Sequence, residues 1–155
     1  MLVLKNLLFT VLVPGTVAVY LPLYLARGEQ AATHPALLGI CAFLFTLGIT
    51  GYLWCVFSFA AIGKGTPAPI DAPKRLIVVG PHRWVRNPMY LSVLSVIAAW
   101  AVIFTAPQLF AYLGLVAAVF HLVVVLFEEP LLRRKFGSEY ASYCESVRRW
   151  LPHYR

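Results

Sequence analysis

Apolar residues in this chain arrive in long unbroken blocks, and the polar residues collect between them. A block of about twenty apolar residues makes a helix that crosses some 30 Å of hydrocarbon. Four blocks meet that length, at about residues 7–26, 35–61, 89–105 and 108–127. The first follows Lys5 and closes on Arg27-Gly28-Glu29. A cleavable signal peptide is its rival reading, but the block exceeds the usual apolar core and no small-x-small pattern precedes Arg27. Pro14-Gly15 and Pro22 lie inside it, where a proline is tolerated if a neighbour satisfies the carbonyl it frees. In the second block Gly39, Gly48 and Gly51 offer small surfaces for close helix approach. Blocks three and four are separated only by Ala106 and Pro107, which predicts an antiparallel hairpin.

Between and after the spans lie two polar segments, 62–88 and 128–155. In the second, Gly137 can end one helix and Ser138 can cap another. Tyr140, Tyr143, Val147 and Trp150 or Leu151 then recur at three-to-four spacing, an apolar stripe for the membrane interface or for the inner ends of the spans. The expected fold is therefore all-α: a single membrane-embedded domain over residues 1–155, with four transmembrane helices, a loop between spans two and three, and a C-terminal amphipathic helix.

Composition agrees, with 61% hydrophobic and 12% charged residues and a mean hydropathy of +0.78. A soluble chain carries about twice that charged fraction, so water could not cover this surface. The net charge of +7 raises the question of nucleic acid, but the basic residues flank hydrophobic spans, which makes anionic lipid headgroups the expected counter-charge. Eleven of the thirteen lysines and arginines fall in 62–88 and in the tail: Lys64, Lys74, Arg75, Arg83 and Arg86, then Arg133, Arg134, Lys135, Arg148, Arg149 and Arg155. The positive-inside rule makes both segments cytoplasmic, and four spans bring the N-terminus to the same side. Cys41, Cys55 and Cys144 form no pair spaced for a metal, so no metal site is expected.

Three features bear on chemistry. Gly80 to Tyr90, reading GPHRWVRNPMY, concentrates donors and aromatics at the entrance to span three. Glu128-Glu129, at the end of span four, sets adjacent acids where a helix C-terminus disfavours them, which calls for a cation such as Arg86. His121 lies inside span four, two α-turns before Glu128 and so on nearly the same face, an ionisable group where such groups are costly. No phosphate-binding loop, nucleophile elbow or zinc-protease motif is present.

The run from Lys74 to Tyr90 resembles the L-V-x-x-G-P-Y-R-x-x-R-H-P-x-Y signature of the isoprenylcysteine carboxyl methyltransferase and phospholipid methyltransferase families. The tail is similar to their E-E-x-x-L, F-G-x-x-Y-x-x-Y and V-R-x-x-P run, through Glu128-Glu129, Leu132, Phe136-Gly137, Tyr140, Tyr143 and Val147 to Pro152. The resemblance implies an integral-membrane enzyme that passes the methyl group of S-adenosylmethionine to a lipophilic acceptor at the cytoplasmic face. Carried over, it implies cofactor binding by Lys74, Arg75, Leu76, Ile77, His82, Asn87, Pro88, Met89, Tyr90 and Glu128. Arg86, matching the signature arginine, is expected to act at the site with Glu129 and with His121, the latter as a proton acceptor.

Three departures matter. His82 stands at a tyrosine position, Asn87 at a histidine, and Val124 where the prenylcysteine enzymes carry the arginine that faces an acceptor carboxylate. The last points to a neutral or amine-bearing acceptor. Two other readings share the same spans: a non-catalytic membrane protein that binds anionic lipid or a partner, and a reductase on a similar helical core.

Overall fold

A computed structural model describes residues 8, 10–63 and 76–152, the side chains of residues 62 and 63 excepted. Among them the architecture is helical throughout: α1 (Thr10–Leu25), α2 (Pro35–Ser58), α3 (Pro88–Phe104), α4 (Pro107–Val123) and α5 (Glu129–Ser146), with a 3₁₀ turn at Gly80–Arg83. Prolines open α2, α3 and α4, where a missing N–H costs nothing and the ring pre-sets φ. His34 adds a side-chain cap to α2 by accepting from the Ala36 amide at 3.3 Å. The predicted hairpin forms at Thr105, whose left-handed φ of 48° reverses the chain directly into α4. Two helices are long and apolar enough to cross a membrane, Pro35–Ala61 and Pro107–Ser146, while Thr10–Leu25 and Pro88–Phe104 are apolar but shorter.

The closest pairing is α2 on α3, and glycine makes it possible. A Cβ on Gly48 would lie 2.6 Å from Val96 and 2.7 Å from the Ser92 carbonyl oxygen. The backbones approach because no side chain stands there, and Ser95 then reaches across to the Leu44 carbonyl at 2.9 Å. Around this seam Ala18, Tyr52, Val93, Ile97 and Val116 form the core that joins α1 to α4.

Prolines inside α1 work as their chemistry requires. Pro22 cannot donate to the Ala18 carbonyl, and Trp100 Nε1 donates to it instead at 3.0 Å. Within the π turn Thr16–Tyr20, the Leu21 amide bonds back to Thr16, which frees the Val17 carbonyl for the Tyr112 hydroxyl at 2.8 Å. Two tertiary donors therefore replace two lost helical ones, so neither carbonyl is left without a partner.

Two boundaries differ from the sequence expectation. The second helix runs on through a π turn, Phe59–Gly63, into the predicted loop. The fourth leaves α geometry early, with a π turn at Val124–Glu128 leading straight into α5. Gly137 does interrupt the tail helix, with φ 51° and ψ −123°. The stripe beyond it faces inward: Tyr140, Tyr143 and Val147 are buried against Leu76, Leu132 and Phe136.

Candidate functional site

Where α3 begins and α4 ends, the chain forms a half-open cavity of about 250 Å³. Its polar end is built from Leu76 and Ile77, from His82 of the 3₁₀ turn, from Arg86 to Tyr90, and from Glu128. The tail supplies Leu132, Phe136, Tyr140 and Tyr143, and the far end is apolar, with Val13, Pro14, Val17, Val93 and Phe120.

Tyr90 ties the two halves together. Its hydroxyl donates to Glu128 Oε1, and its ring packs on Phe120 with centroids 4.5 Å apart. Burial pushes the Glu128 carboxyl above its ordinary range; the Tyr90 bond pulls it down and the neighbouring Glu129 charge pushes it up, leaving it raised.

Across the cavity His82 is 6% exposed, with its carbonyl held by the Tyr143 hydroxyl at 2.7 Å and its ring edge-on to Phe59. Burial drives its imidazole down to about 4, so it is neutral at physiological pH. Its Nδ1 and the Nε of Arg86 are buried without a hydrogen-bond partner among the described residues. Both atoms are closed off from the cavity as well as from solvent, so they are unsatisfied groups inside its wall.

Glu129 points away from the cavity. Arg149 grips it through Nε at 2.6 Å and Nη2 at 3.0 Å, and Arg86 Nη1 stands 3.4 Å from its Oε1. Burial alone would raise this carboxyl, but the Arg149 bonds and the charges of Arg86 and Arg133 outweigh it and hold it below the usual range.

Of the residues expected to bind the cofactor, Leu76, Ile77, His82, Asn87, Pro88, Met89, Tyr90 and Glu128 line the cavity, as does Arg86. Lys74 and Arg75 lie outside the described residues. Glu129 and His121 do not line it. Seven residues make two turns of an α-helix, but the π turn between His121 and Glu128 breaks that register. His121 is consequently exposed and accepts from Trp150 Nε1 at 3.2 Å, while Glu128 turns inward. Arg149 belongs to the V-R-x-x-P run of the tail, but its pairing with Glu129 was not foreseen, because nothing linear joins it to an acid twenty residues earlier.

The profile of the phospholipid methyltransferase family matches residues 36–139. The chain belongs to that family. An uncharacterized protein of Haemophilus influenzae is 42% identical over 67 residues, which are 41% of this chain and 100% of that protein. No solved structure matches the chain. The part matched to the phospholipid methyltransferases runs from α2 into α5 and so contains the Tyr90–Glu128 closure. It leaves out α1 and the residues after 139, Arg149 among them.

Proposed function

We propose that this phospholipid methyltransferase family member transfers a methyl group from S-adenosylmethionine to a lipophilic acceptor, at the cytoplasmic end of a four-span bundle whose two termini are both cytoplasmic. The observation that carries the reading is the bond from Tyr90 to Glu128 over a cavity with one polar and one apolar end.

The residues present fit such a cofactor. The Glu128 carboxylate can accept from ribose hydroxyls or an ammonium, and the polar residues Arg86 and Asn87 line the same cavity. Leu76 and Ile77 give an apolar wall for a flat base. When bound, the cofactor supplies an electrophilic methyl group on a sulfonium sulfur. The chain's own contribution is then alignment and dryness more than acid–base chemistry. Val13, Val17, Val93 and Phe120 exclude water from the far end, where an acceptor's hydrocarbon fits. Val124, at the position where the prenylcysteine enzymes carry an arginine, is apolar, buried and outside the cavity lining, so it offers no cation to a carboxylate acceptor, which favours a neutral or amine-bearing one.

Calorimetry on the detergent-solubilised full chain tests this. S-adenosylmethionine should bind, and Glu128→Ala should weaken it about tenfold or more, the loss of one charge-assisted contact of about 1.4 kcal/mol or greater. No heat with this cofactor, together with heat from NADPH, would transfer the chain to the reductase reading. Isotopically labelled methyl donor followed by lipid mass spectrometry then names the acceptor class.

A further inference from the structure

The cavity wall formed by Arg86 and Asn87 is fastened from behind by a part of the chain that does not line the cavity. Helix α5 ends at Val147, whose extended φ and ψ of −125° and 127° turn residues 147–150 across the entrance to α3. There the Arg86 amide donates to the Arg148 carbonyl at 2.9 Å, and Asn87 Nδ2 donates to the Arg149 carbonyl at 3.3 Å. Two backbone carbonyls of this strap thus fix both residues of the wall. The strap is itself held by the Arg149 fork on Glu129 and by Trp150, which bonds to His121 and lies 6.5 Å from the Tyr90 ring.

Glu129 is where these ties converge. It is 7% exposed, outside the cavity, and shared between a guanidinium of the strap and a guanidinium of the wall. A carboxylate so buried is stable only while paired, so it favours the arrangement in which strap and wall are docked together. A bidentate arginine fixes orientation as well as charge, which a lysine would not.

We infer that Glu129 and Arg149 are positioning residues, whose ion pair latches strap 147–150 against Arg86 and Asn87 and thereby sets the cofactor-facing wall of the cavity. The inference rests on the methyltransferase reading for the identity of that ligand. Latching and cofactor binding share Arg86 and Asn87, so if the docked strap raises cofactor affinity, the cofactor must favour docking by the same factor.

The test uses the full chain in detergent and two readouts, amide hydrogen exchange at Arg86 and calorimetric affinity for S-adenosylmethionine. In the wild type, the cofactor should slow Arg86 exchange. Arg149→Ala should leave the strap mostly undocked, so that in the cofactor-free protein Arg86 exchanges nearly as fast as an unprotected amide and cofactor affinity falls about tenfold, with Arg149→Lys in between. If Arg149→Ala frees the Arg86 amide while affinity is unchanged, or leaves the amide protected, the latch is wrong and the methyltransferase reading stands. Should the alanine variant not fold, Glu129→Gln and Arg149→Lys carry the same comparison. A wild type that binds no S-adenosylmethionine removes the reading itself, and the inference with it.

Discussion

His82 shows what one buried ring contributes. Its folded pKa of about 4 lies below the ordinary 6.5, so above that ordinary value both the folded and unfolded chains are neutral and stability does not depend on it. As pH falls from about 6.5 toward 4, the unfolded chain takes up a proton that the folded one refuses, and stability declines by about 1.4 kcal/mol per unit. The thermal midpoint of the wild type should therefore drop between pH 6.5 and 5 relative to that of His82→Phe, with the two curves parallel above pH 7. Glu129 acts lower and with the opposite chemistry: its depressed carboxyl contributes stability above the ordinary range of glutamate, and that contribution disappears as pH falls through its folded value. The identities of His82, Tyr90 and Glu128 as cavity residues were legible from motif position. Arg86 as a partner for the acid pair was legible too. The burial of His82 and the Arg149 fork on Glu129 were not, because the first depends on Tyr143, sixty-one residues away, and the second on a strap that folds back past the end of α5.

Among the elements, the α2–α3 seam gives a direct contrast. Gly39 has nothing within 4 Å of a would-be Cβ, whereas at Gly48 the Ser92 backbone carbonyl is 2.7 Å away and cannot rotate aside. Gly39→Ala should be neutral or stabilising by up to about 1 kcal/mol through helix propensity. Gly48→Ala should cost about 1–3 kcal/mol as overpacking, read as a lowered midpoint in the same detergent. The helices themselves were readable from block length and from the prolines at their starts. The π turns were not, since an i→i−5 bond is favoured only when something else satisfies the carbonyl it releases. In α1 that something is Tyr112 of α4, which donates to the Val17 carbonyl. The π turn before Glu128 had the larger effect on the site, because it turned His121 out of the cavity that an unbroken α-helix would have shared with Glu128.

For the whole molecule, the exposed surface is that of a lipid-embedded body: Phe43, Leu47, Leu53 and Phe57 of α2 all lie more than half outside the protein interior. A helix that is apolar on every side needs hydrocarbon around it. The proposed orientation follows from charge and is checked by labelling. A cysteine at exposed Arg134 should react with a membrane-impermeant maleimide only after the cells are opened, and one at exposed Ala31 should react in intact cells. The reverse pattern would invert the topology and put the cavity on the other face.

The sequence by itself determined that this is a helical membrane chain, where its helices begin, and which turn and which pair of acids come together, since block length, proline chemistry and motif order are local properties. Only the tertiary structure decided which acid faces the cavity, that His121 does not, and that a strap beyond the matched residues holds the wall in place. Those outcomes depend on a change of helical register and on charge pairs between distant segments, and neither is written in the order of neighbouring residues.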